Sequence, residues 1–173
     1  ANLSGVDLSN KDLTGTILIQ ADLTRANLSG ANLSGVDLSN KDLTGTILAY
    51  ANLSGANLSG VDLSGKDLTG SNLDGVFLGD ADITKATIGK ETLNQAILCN
   101  TRTIDGTVSD CDLRKVDFTL TNLSGVDLSN KDLTGVDLSG VDLRNKDLTG
   151  ANLSGIDLSN KDLTGTILTY ANL

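Results

Sequence analysis

The sequence predicts an all-β chain wound as a four-sided parallel β-helix, with about nine coils of ~20 residues each. Three observations predict it. Divided into fives from Ala1, the frame holds over all 173 residues, and the third position is Leu in 30 of 35 units. The fifth position is Gly in 16 and Asn in 6 of the 34 complete units. The chain has no His, Pro, Trp or Met, and only two Tyr and two Phe. Leu, Ala and Val must therefore fill the interior without aromatic bulk, which favours one packing solution copied many times.

The period selects the local structure. Five fits neither the 3.6 of a helix nor the 2.0 of a plain strand. A helix would spread Leu around its circumference, and each recurrent Gly would cost about 1 kcal/mol relative to Ala. A short extended step followed by a turn fits. The first position, Ala or Val in 19 of 35 units, and the third then point inward together. The second, Asn or Asp in 26 of 35, points to water. The fourth and fifth form a corner, where Gly or Asn supplies the positive φ of a type II turn and Ser or Thr can bond local backbone. Four corners close a square, and backbone groups pair with the coils on either side.

Units such as ANLSG, VDLSN and KDLTG, running over essentially the whole chain, resemble the pentapeptide-repeat family. The resemblance implies a right-handed quadrilateral β-helix, and it says little about activity. The very regular Leu units also resemble the repeat domain of a cyanobacterial membrane-anchored protein needed for heterocyst glycolipid localisation. The sequence opens on ANLSG and closes on ANL, partway through a unit, so residues 1–173 are expected to form one domain excised from a larger protein, or a mature form.

The KDLTG units pose a problem, because six of the 35 inward first positions are Lys. An unpaired buried ammonium is prohibitively costly. The only acid in an inward slot is Glu91, and Leu leaves no room for an interior ion path. The expected solution is a lysine stem lying along the corner with its head in solvent. Units four before and four after each Lys carry small residues, such as Ala21 and Val61 for Lys41.

Between Val76 and Lys115 the pattern weakens. Leu93 and Ile97 have helical spacing, so a short helical turn within 91–98 is expected. Asp105-Gly106 is a strong turn dipeptide between β-branched residues, which predicts a loop or hairpin near 100–110. Cys99 and Cys111 flank it. They form either a disulfide bracing the loop or two separate thiols, with Cys111 filling a small inward slot.

Catalysis is not expected. Without His there is no ordinary acid-base or zinc-binding residue, no CxxC pair occurs, and the carboxylates lie on flat walls with no pocket to separate their pKa values. No cofactor or metal is expected. The net charge of −9 disfavours direct binding to nucleic acid. The family resemblance also implies a second role, since some members mimic B-DNA and inhibit type II topoisomerases such as gyrase. Asp22, Asp42, Asp62 and Asp82 would form one acidic column in that reading. However, nine net charges along ~40 Å is sparse beside one per about 1.7 Å in B-DNA. No apolar run reaches the ~18 residues of a membrane span, so this segment is not expected to insert, although its parent protein could be anchored. The expected partner is another protein or a neighbouring domain. Candidate contact residues are the outward apolar Phe77 and Ile97 beside the loop, which either stay open to a partner or are covered by the loop folding down over them, together with Tyr50 and Tyr170 at corners.

Overall fold

The computed structural model describes residues 1–114 and 116–173. Its basic element is the corner the period predicts. The N–H of most first-position residues bonds the carbonyl of the third-position residue three before it, as in Val6 to Leu3 at 3.1 Å and Ala31 to Leu28 at 3.0 Å. Most fifth-position residues take positive φ, 68° at Gly5 and 57° at Asn10. Even Tyr50 and Tyr170 adopt it, at 63° and 60°. First- and third-position side chains fill the tube, and Leu23, Leu28, Leu33 and Leu38 are fully buried.

Second-position residues pair in parallel twenty residues apart, as Asn2 with Asp22 and Asn57 with Phe77. That spacing confirms four units per coil. The second-position side chain does more than face water. Its Oδ1 accepts the backbone N–H of the fourth position, as at Ser4 from Asn2 (2.9 Å) and Ser64 from Asp62 (2.8 Å). Many Thr hydroxyls add a bond to the same oxygen, as Thr14 to Asp12 at 2.7 Å. Corners with Asn or Asp at the second position are therefore tied by a side chain of their own unit.

The coils do not form one continuous rod. A first stack runs from Ala1 to Ile104, its ladder ending with Ile83 N–H on Arg102 and Lys85 N–H on Ile104. Within it, α1 (Lys90–Leu93) is a single helical turn. A hairpin then turns the chain. Arg102 and Val108 pair antiparallel, and Thr103 N–H bonds Thr107 O at 2.8 Å. Thr103 is the one polar residue at a third position, and its hydroxyl serves this hairpin by bonding Asp105 Oδ1 at 2.7 Å. The Cys99–Cys111 disulfide closes the excursion.

From Cys111 a second stack begins against a wall of the first. Asn122 N–H bonds Gly55 O at 2.7 Å, Thr121 Oγ1 bonds Gly75 O at 2.9 Å, and Asn122 Nδ2 bonds Gly35 O at 2.8 Å. Asn57 Nδ2 donates to Ser124 O. These contacts come from the second stack's first coil, which presents its open end to the wall. Its four third-position residues, Leu113, Phe118, Leu123 and Leu128, are buried. By contrast Leu3, Leu8 and Leu13, in the first coil of the N-terminal stack, are only half-buried. The expectation of about nine coils in one solenoid is corrected accordingly: the chain breaks at the hairpin, and a wall caps the second stack.

Candidate interaction surface

The wall under the second stack carries Asp37, Asn57, Phe77 and Ile97 at successive second positions. Phe77 is 4% exposed and Ile97 8%, and both pack with Phe118, Leu113 and Cys99 in the core of the second stack. The sequence reading of these two as an open partner surface is therefore corrected. At this place the outward apolar pair marks a covered wall, and the cover is the chain's own C-terminal half. The disulfide sits beside them, with Cys99 3% exposed.

Tyr50 and Tyr170 remain exposed, and they differ in surroundings. The Tyr50 ring lies over Gly70, so that a Cβ there would stand 2.4 Å from it. Tyr170 is 90% exposed. Ile47 and Ile167, at equivalent places in the two stacks, are about half exposed. Ile17 is 90% exposed and continues the docked wall beyond its cover. Ile17 and Ile19 form one side of an open cleft of about 360 Å³, with Asn122 and Ser124 on the other.

The lysines resolve differently from expectation. Their heads do not simply enter solvent. Lys41 Nζ donates to Ile19 O and, at 2.9 Å, to Ala21 O. Lys161 Nζ repeats the pair on Ser139 O and Val141 O. Lys66 reaches Thr46 O at 3.5 Å, and Lys146 reaches Leu123 O. The ammonium thus bonds carbonyls of the preceding coil at a corner, and a small first-position neighbour leaves room for the stem. Burial lowers the pKa of Lys146. Lys11, in the first coil, is exposed.

The carboxylates are acidified by their structural bonds. Hydrogen bonds from Thr14 lower Asp12, and those from Thr44 lower Asp42. Thr103 and Thr107 hold Asp105 at about 2. Bonds from Arg144 lower Asp142 further. Every one of these groups favours its charged form, the opposite of a carboxyl tuned as a general acid. Among the described residues no group of three or more Cys, Asp or Glu side chains could hold a metal ion. No helix there is long and apolar enough to cross a membrane. Asx bonding at the corners escaped sequence reasoning, although Asn or Asp two residues before Ser or Thr, repeated throughout, was its visible signal.

The family model for pentapeptide repeats matches residues 1–40, 26–65, 111–145 and 147–173, in 8 copies. Among solved structures, the chain is similar to HetL, a pentapeptide repeat protein involved in heterocyst differentiation regulation in the cyanobacterium Nostoc. Identity there is 31%, covering 100% of this chain and 68% of that one, with a TM-score of 0.32. It is also similar to a pentapeptide repeat protein of the Arabidopsis thaliana thylakoid lumen, at 24% identity, 92% and 69% coverage, and TM-score 0.31. A third similar chain is Rfr23 from the cyanobacterium Cyanothece, at 24% identity, 99% and 87% coverage, and TM-score 0.35. No curated protein matches the sequence. With the family model covering well over half of the residues, the chain belongs to the pentapeptide-repeat family, whose right-handed quadrilateral β-helix is the fold built here from five-residue corners.

Proposed function

We propose that this chain is a non-catalytic scaffold that holds protein partners, or neighbouring domains of its parent protein, at fixed separation. The observation that carries the reading is what the polar side chains do. Second-position Asp and Asn residues are engaged in corner bonds to their own units, and four of the six KDLTG lysines bond backbone carbonyls. Residues spent on geometry build a rigid body with flat faces. The finer reading places this scaffold in the non-membrane part of an anchored cyanobacterial protein acting in heterocyst glycolipid localisation. Deleting the gene in its source organism tests that; an undisturbed glycolipid layer would count against it.

A DNA-mimicking gyrase inhibitor is the competing reading, favoured by the column of Asp62 and Asp82 on one wall. Two features oppose it. The chain breaks into two stacks, so no continuous acidic rod runs its length, and the net charge is only −9. A supercoiling assay decides. The scaffold reading expects gyrase to be unaffected at micromolar protein, and inhibition there would overturn it.

A further inference from the structure

We propose that the Cys99–Cys111 disulfide is a redox latch between the two stacks. Reduction by a dithiol loosens the second stack on its wall, and reoxidation fastens it again. The proposal does not rest on the scaffold reading. The bridge joins two bodies and lies inside neither. Cys99 belongs to the first stack, where its carbonyl accepts the N–H of Asp80 at 2.8 Å. Cys111 opens the second stack, two residues before the buried Leu113. Each stack has a core of its own, Leu23 to Leu78 in one and Leu123 to Leu153 in the other. Two further anchorages hold the docked coil among the described residues. One is the hydrogen-bonded corner where residues 121–124 meet Gly35, Gly55, Asn57 and Gly75. The other is Phe77 and Ile97 packed with Leu113 and Phe118. Cys111 and Thr121 are two units apart in a coil of four, so the bridge and the hydrogen-bonded corner hold opposite sides of that coil. Opening the bridge removes the covalent hold on one side.

The hairpin makes the latch reversible. Ser109 N–H donates to Thr101 O at 2.9 Å, and Thr101 N–H donates to Ser109 Oγ at 3.0 Å. Thr101 is fully buried, and its hydroxyl donates to Leu78 O at 2.6 Å, which ties this strand to the first stack. Thr101 lies two residues after Cys99, and Ser109 two before Cys111. These bonds keep the two thiols close to each other when the bridge is open. The chain has no third cysteine, so neither can pair wrongly.

The chemistry is thiol–disulfide exchange. Cys111 is half-buried and Cys99 only 3% exposed, so attack falls on the sulfur of Cys111. One thiolate of the dithiol bonds that sulfur, the bridge breaks, and Cys99 leaves as a thiolate. The second thiol of the reductant, as its thiolate, then attacks the mixed disulfide, and Cys111 leaves in turn. The dithiol gives up two electrons and ends as its own cyclic disulfide. Its two protons end on the two cysteine thiols. A monothiol stalls at the mixed disulfide, because Cys99, held beside Cys111 by the hairpin, displaces it and re-forms the bridge.

Hydrogen exchange on the native chain, with and without dithiothreitol and in the absence of denaturant, tests it. The Asn122 N–H, bonded to Gly55 O at 2.7 Å, reports the docking contact. The Asn52 N–H on Ala31 O and the Asn152 N–H on Lys131 O report the interior of each stack. Reduction should speed exchange at Asn122 about tenfold or more, as loss of a cross-link implies. Asn52 and Asn152 should keep their rates, and reoxidation should restore Asn122. The double variant Cys99→Ser, Cys111→Ser should behave as the reduced chain without any reductant. An unchanged rate at Asn122 would overturn the inference. Equal acceleration at all three amides would overturn it too, since it marks a staple of the whole fold, as would a bridge that dithiothreitol opens only in urea.

Discussion

Replacing Gly55 by alanine, with Gly5→Ala alongside, measures how firmly the second stack is held. Both glycines have positive φ, 64° and 68°, so both substitutions incur the left-handed penalty of about 1–2 kcal/mol. They differ in what the new methyl meets. At Gly5 nothing lies within 4 Å, whereas at Gly55 the methyl would stand 1.8 Å from the carbonyl oxygen of Leu120. That oxygen is backbone and cannot rotate aside. The docked coil must move off the wall, losing the Asn122 to Gly55 bond at 2.7 Å and uncovering Phe77 and Ile97, now 4% and 8% exposed. Returning one Phe and one Ile to water costs about 1.5–3 kcal/mol each, as an upper estimate. Urea unfolding followed by far-ultraviolet circular dichroism should show Gly55→Ala destabilising more than Gly5→Ala by about 3 kcal/mol, or splitting into two transitions as the stacks uncouple. Equal losses within about 0.5 kcal/mol would mean that the wall does not hold the second stack.

Other consequences are checked in the same way. The Cys99–Cys111 bridge spans 12 residues, so replacing both by Ser should lower the unfolding free energy by about 3 kcal/mol; an unchanged urea midpoint would contradict a bracing role. Lys41→Met keeps the stem and removes the ammonium from the carbonyls of Ile19 and Ala21, and should cost on the order of 1 kcal/mol, while Lys11→Met at an exposed position should cost nothing measurable. Acid should destabilise the fold. Asp12, Asp42 and Asp82 have folded pKa values below the ordinary 3.8, so their contribution is complete above that value and disappears as pH falls through the lowered ones. A urea midpoint that rose on acidification below 3.8 would refute that sign.

The corner was legible because it is local. Leu at the third place of most five-residue units, with a small residue two before it and Gly or Asn two after it, leaves one way to turn, and Tyr50 and Tyr170 show that the unit imposes positive φ even on an aromatic residue. The hairpin was legible for the same reason, since Asp105-Gly106 and the polar Thr103 are short-range signals. The docking of the second stack was not. It depends on which wall is free, and residues 37, 57, 77 and 97 come together only after coils of 20 have formed. Phe77 and Ile97 announced that something covers the wall, while the identity of the cover was a tertiary matter. The lysine heads were misplaced because water looked like the only cheap partner. The neighbouring coil offers carbonyls at the corner, and an ammonium that reaches them is compensated without leaving the tube.

One rule then accounts for the break. A coil end is an apolar square bordered by unpaired backbone, and it must be covered by a coil, a wall or nothing. Between 21 and 100 coils cover each other, and Leu23 to Leu73 are buried. At 111 the wall bearing Phe77 and Ile97 substitutes for a coil and buries Leu113, Phe118, Leu123 and Leu128 as completely. Substitution works there because the wall is apolar at that place and accepts hydrogen bonds through the carbonyls of Gly35, Gly55 and Gly75. In the coil of residues 1–20, by contrast, Leu3, Leu8 and Leu13 are half-buried.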